Sequence, residues 1–137
     1  MLDCGTIKSN ISTVLGERFE CIPLSHYLVI NTPFTYPNLD SIQVFIETLP
    51  NGELVISDKG ETLRYLASFL IDAEDTPHKI NILKSVTSSY GTDFREGIFY
   101  KYSDNNRFGD DILNMVNTIL KISDLQLAQR VKKPRLA

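Results

Sequence analysis

The chain has 137 residues, of which 42% are hydrophobic and 23% charged, and its formal net charge is −3. That size and balance belong to a single globular domain and exclude disorder and low complexity for most of the length. No apolar run approaches the roughly 20 residues needed to cross a bilayer, and the start lacks an apolar signal core, which points to the cytoplasm.

Ile7, Ile11, Val14 and Leu15 keep the spacing of one helical face and predict a first helix from about Thr6 to Glu17. The β-branched and aromatic run from Tyr27 to Ile30 predicts a strand that stops near Pro33. Pro33 and Pro37 then frame a stiff loop carrying Phe34 and Tyr36. From Ser41, alternation sends Ile42, Val44 and Ile46 to one face and Gln43, Phe45 and Glu47 to the other, as in a half-buried strand. The chain turns at Pro50-Asn51-Gly52-Glu53 and returns as Leu54-Val55-Ile56. A two-residue turn would split the apolar residues of these strands between two faces. A three-residue turn pairing Pro50 with Leu54 is therefore expected, with Asp58 opposite Ile46.

Asp58 as N-cap, with Glu61 three residues on, has the form of a capping box, and Gly60 supplies backbone freedom between them. The helix they open is expected to bury Leu63, Leu66, Ala67 and Leu70. Thr76-Pro77 starts another, lined by Ile80, Leu83 and Val86 and stopped by Gly91. Residues 93–102 read as a short hairpin turning at Gly97. The last helix is expected from about Phe108 to Arg130, with Asp110 and Asp111 in its first turn and Ile112, Met115, Val116, Ile119, Ile122 and Leu127 as its apolar stripe. The fold class is α+β, in the order α-β-β-β-α-α-β-β-α. A three-stranded antiparallel meander and a second short hairpin are flanked by helices in one domain, 1–130, followed by a basic tail, 131–137.

Several segments together carry a family likeness: Asp40-Ser41-Ile42-Gln43-Val44-Phe45, Val55-Ile56-Ser57-Asp58-Lys59-Gly60-Glu61-Thr62-Leu63, Tyr90-Gly91-Thr92-Asp93-Phe94, and Phe108-Gly109 ahead of Ile122-Ser123-Asp124-Leu125. In these the chain resembles the bacterial and phage family catalogued as domain of unknown function 1828. The resemblance covers most of the chain and implies a bacterial or phage setting, but it transfers no mechanism. The element order is also similar, with one extra helix, to that of type III secretion chaperones, which bind partner segments.

Asp40, Asp58 and Glu61 are the candidates for a divalent-metal nuclease, which needs carboxylates converging on one ion. The expected register starts Asp40 and Asp58 roughly 20 Å apart, against the ~5 Å that a shared ion allows. Asp58 is thus read as a helix cap, with no metal and no cofactor. His26, His78 and the two cysteines lack zinc spacing. Cys4 and Cys21, in a chain without a secretion signal, are expected to be free, buried thiols. Phe34, Tyr36 and Phe45 are the candidates for an aromatic surface that recognises a protein. Met115, Val116, Ile119 and Leu120 would suit a homodimer through the final helix. The acidic balance argues against nucleic acid, apart from weak phosphate contact through Lys132, Lys133 and Arg135. The expected function is a non-enzymatic protein-binding module of a bacterium, phage or mobile element, with counter-defence as one setting. The alternatives are a nuclease or other nucleic-acid enzyme, and an assembly chaperone or antitoxin.

Overall fold

A computed structural model describes residues 3–7, 9, 18–104 and 106–127. They form a six-stranded antiparallel sheet in the order β1-β2-β3-β4-β6-β5. The strands are β1 (Glu20–Pro23), β2 (Leu28–Thr35), β3 (Ser41–Thr48), β4 (Leu54–Ser57), β5 (Asp93–Arg95) and β6 (Ile98–Ser103). Helix α1 is described at residues 4–7 and 9, and α2 (Glu61–Ala67), α3 (Pro77–Tyr90) and α4 (Phe108–Ser123) follow. Residues 125–127 are again helical. Most of the first predicted helix, the Arg130 end of the last and the basic tail lie outside the described residues.

The α+β class, the meander and the second hairpin are as the sequence predicts, but the meander has four strands rather than three. The extra strand, β1, lies at an edge, is mostly exposed and ends in proline, so it carries no alternation to read. The hairpin joins the same sheet because β6 pairs with β4.

The inner face supplies Leu28, Ile30, Ile42, Val44, Ile46, Leu54, Ile56 and Phe99 to one core, where they meet Leu66, Ile112, Met115, Val116, Ile119 and Ile122. Each fully buried side chain of this kind contributes roughly 1.5–3 kcal/mol. Met115, Val116 and Ile119 are buried there and Leu120 is partly buried against the same core, so these residues pack within the monomer.

The β3–β4 turn has three residues, but they are Pro50-Asn51-Gly52, with Thr48 opposite Leu54 and Ile46 opposite Ile56. Leu49 N–H donates to the Glu53 carbonyl (2.7 Å) and Gly52, at φ 90°, donates to Leu49 (2.9 Å). The parity is as predicted; the pairing lies two residues from the expected one. Asn51 explains the shift, since its Oδ1 accepts the Glu53 N–H and its Nδ2 donates to Glu53 Oε1, holding Glu53 in the closing pair.

Helix α2 ends at Ala67, short of the expected Leu70. Ile71 N–H donates to the Leu66 carbonyl (3.1 Å) and Leu70 N–H to Ala67 (2.9 Å), which is the Schellman pattern. Leu70 occupies its left-handed position at φ 61°, where glycine is usual. It is 95% exposed, and Ile71 takes the buried place instead. Leu39, in the β2–β3 turn, is also left-handed (φ 75°) and 79% exposed. For an L-residue this conformation costs about 1–2 kcal/mol.

Cys4 and Cys21 are joined in a disulfide, with Cα atoms 5.5 Å apart, so they are not the free thiols expected. Burial of Ile7 in the core seats α1 against the sheet edge that carries Cys21, a proximity that a sequence separation of 17 does not announce.

Candidate functional site

Asp58 follows β4 and is fully buried. Its Oδ1 accepts from Gly60 N–H (2.8 Å) and Phe99 N–H (3.0 Å), and its Oδ2 from Thr62 N–H (3.1 Å). Its own N–H donates to the Phe99 carbonyl (3.1 Å). One carboxylate thus ties β4, α2 and β6 together. Burial pushes its pKa up, and the hydrogen bonds it accepts oppose that rise. The expected capping box is corrected in two respects. The N-cap is Gly60, at φ 80°, and Glu61 pairs with Arg64 (2.6 Å) rather than reaching back to the Asp58 amide, which Phe99 already occupies.

Asp40 lies apart from this staple, exposed in the β2–β3 turn, where its Oδ2 accepts from Asn38 Nδ2 (2.8 Å). One further step of the β3–β4 ladder sets Asp58 opposite Val44, not Ile46, which leaves Asp40 about 13 Å along β3. Among the described residues no three His, Cys, Asp or Glu side chains gather as a metal-binding group. Asp40, Asp58 and Glu61 are not brought together.

Of the three candidate aromatics, Tyr36 and Phe45 are buried and Phe34 is partly buried. Phe34 packs edge-on to Phe19 (6.4 Å) against the core. Tyr36 is buried and stacked on Tyr65 (4.6 Å, 17°), and Phe45 is buried edge-on beneath Tyr27 (5.7 Å). The proline-framed stretch is not a free loop: β2 runs on through Phe34, held by the Thr32 hydroxyl donating to the Ile42 carbonyl (2.8 Å) across a register shift. Burial raises the Tyr36 pKa to about 12. Its hydroxyl is enclosed beside that of Thr62, and their interaction opposes the rise.

The candidate binding surface lies on the outer face of the sheet, the one pointing away from α2 and α4. Alternation puts Val29, Phe45, Ser57 and Tyr100 in one cross-strand row there, and Glu47, Val55 and Tyr102 in the next. A groove of about 410 Å³ opens over β4, β6 and β5, with Val55, Ile98, Tyr100 and Tyr102 in its lining and Glu47, Lys59, Arg95 and Glu96 at its charged positions. Tyr102 is 54% exposed and meets Tyr100 edge-on at 5.8 Å. Lys59 Nζ pairs with Glu47 (2.7 Å) and sits 4.4 Å over the Tyr27 ring.

Two turns fix the charged end of this groove. Lys59-Gly60 and Glu96-Gly97 are both left-handed pairs, the second making the two-residue β5–β6 hairpin for which such pairs are suited. A Cβ on Gly60 would lie 3.5 Å from the Gly97 carbonyl oxygen, so the turns pack closely. The sequence offers little signal for this site, because nothing links Lys59 with Arg95 until β4 and β6 pair. Outside the groove, Asp111 is buried and accepts from the Ser103 hydroxyl (2.6 Å), which holds the start of α4 against β6.

No curated protein and no solved structure matches the chain. The family described as Domain of unknown function DUF1828 matches residues 32–122, a span that runs from β2 into α4. It takes in the Asp58 staple, the groove and both left-handed leucines, and leaves out β1. The chain belongs to that family.

Proposed function

We propose that the protein is a non-enzymatic binding module that holds a segment of another protein in the groove on its outer sheet face. The observation that carries this reading is the groove itself: exposed Tyr102 and Ile98 beside Tyr100, edged by two cations and two anions. Near-cancelling charge gives no pull on a phosphate backbone, whereas tyrosines, aliphatic surface and both signs of charge suit a polypeptide. A divalent-metal nuclease would need Asp58 as an ion ligand, and three backbone amides already engage both of its oxygens. An assembly chaperone or antitoxin would be the same binding activity with a dedicated partner. The setting we propose is a bacterium or a phage-infected host, where blocking a defence protein is one use of such a module.

The test places a photo-crosslinker at Tyr102 in cells carrying the native gene and compares the captured species with those from an Arg95→Ala variant and from a crosslinker at exposed Lys84. One partner captured from Tyr102 alone, and weakened by Arg95→Ala, supports the reading. Equal capture from both positions overturns it, as does magnesium- or manganese-dependent cleavage of nucleic acid that a folded Asp58→Asn variant loses.

A further inference from the structure

Two leucines stand where leucine does least for the fold. Leu39 and Leu70 both hold left-handed backbone, and both side chains are largely in solvent. Strain that gains no burial is a net loss to stability, and such losses gather at functional positions. An aromatic stack joins the two turns. Tyr36, three residues before Leu39, lies on Tyr65, and Tyr65 meets Phe69, the neighbour of Leu70, at 5.2 Å. Phe69 is itself 40% exposed. The leucines therefore project from a fixed base at one end of the molecule, outside the groove lining.

The charge in the sequence beside them is mainly negative, with Lys79 as its cation. Asp40, Asp72, Glu74 and Asp75 are all exposed. Lys79 pairs with Asp75 at 3.0 Å, and among the described residues no ion pair neutralises Asp40, Asp72 or Glu74. We infer that this end docks a basic amphipathic segment of another protein, whose apolar side chains cover Leu39, Phe69 and Leu70 while its lysines or arginines face Asp40, Asp72 and Glu74. Charge complementarity selects that occupant. An acidic segment meets repulsion, and a second copy would set the same acidic rim against itself.

The experiment titrates the full chain against a short dye-labelled helical peptide of leucine and lysine, and against a leucine–glutamate peptide of the same pattern, read by fluorescence anisotropy. The lysine peptide binds the wild type about tenfold more tightly than it binds L39G/L70G, and about tenfold more tightly than the glutamate peptide binds the wild type. The double variant also melts about 3–7 °C higher, because glycine relieves the backbone. Asp72→Lys with Glu74→Lys reverses the preference between the peptides. Equal binding of the two peptides by the wild type, or of the lysine peptide by wild type and L39G/L70G, overturns the proposal. A concentration-dependent dimer that L39G/L70G abolishes also overturns it, since the occupant is then a second copy. A lower melting temperature in the double variant overturns it as well, by showing that the leucines serve the fold.

Discussion

Helix α2 is seven residues long, and its two ends are built to different ends. At the entry, Asp58 is wholly buried and accepts three backbone amides, and the left-handed position that closes the turn holds Gly60, the residue that adopts it without strain. At the exit the hydrogen bonds are equally complete, yet the left-handed position holds Leu70, with its side chain in solvent. The same helix thus shows local rules obeyed where the fold depends on them and broken where it does not. Rule-breaking of the second kind is what the fold itself does not account for, and it is the observation on which the proposed docking of a basic segment rests.

Substitutions at the two ends should sharpen that contrast. The largest effect is expected from Asp58→Ala, which leaves three amides without their acceptor and should lower stability by about 3 kcal/mol or more in denaturant unfolding. A loss below about 1 kcal/mol would remove the staple from the account. Gly60→Ala should cost about 1–2 kcal/mol by the same measurement, since its backbone is left-handed and its Cβ would approach Gly97. Leu70→Gly should have the opposite sign, raising stability by about 0.5–1 kcal/mol. Equal signs at Gly60 and Leu70 would break the comparison.

Two smaller effects read the buried groups directly. Because burial raises the Asp58 pKa in the folded state, its protonated form is favoured by folding. Its contribution is fully present below the ordinary value of 3.8 and is lost as pH rises through the folded-state pKa. Wild-type stability relative to Asp58→Asn should therefore decline over that rise in acid-range melting curves, and a flat difference would contradict the burial argument. Tyr36→Phe should change stability by less than about 1 kcal/mol, because its enclosed hydroxyl has only the poorly aligned Thr62 hydroxyl beside it. It should also remove a phenol titrating near 12 from the absorbance at alkaline pH.

The fold was largely legible, because alternation in β3 and the spacing of Ile112, Met115, Val116 and Ile119 each name a buried face directly. The strand β1 was not, since an exposed edge of four residues buries too little to pattern a sequence. The spacing of Asp58 to the helix marked it as a cap, a position that Gly60 takes instead, and its bond to Phe99 spans 41 positions and follows only from β4 pairing with β6. The aromatic stretch misled for a related reason: Phe34 and Tyr36 resemble a sticky loop until Tyr65, on α2, is known to lie beneath Tyr36. The groove depends on the same long-range pairing. Leu70 was assigned to the core by helical periodicity, which carries no sign of where a helix stops.

The bridge between Cys4 and Cys21 has a mechanical consequence for the edge of the sheet. Among the described residues β1 pairs on one side only, with β2, and such a strand is the ordinary place for a foreign strand to intrude. Here it is fastened covalently to a helix whose Ile7 is sunk in the core. Peeling β1 away must also withdraw that anchor, so what would be cheap fraying becomes a concerted opening, and the margin is sealed against recruitment by its own N-terminal segment.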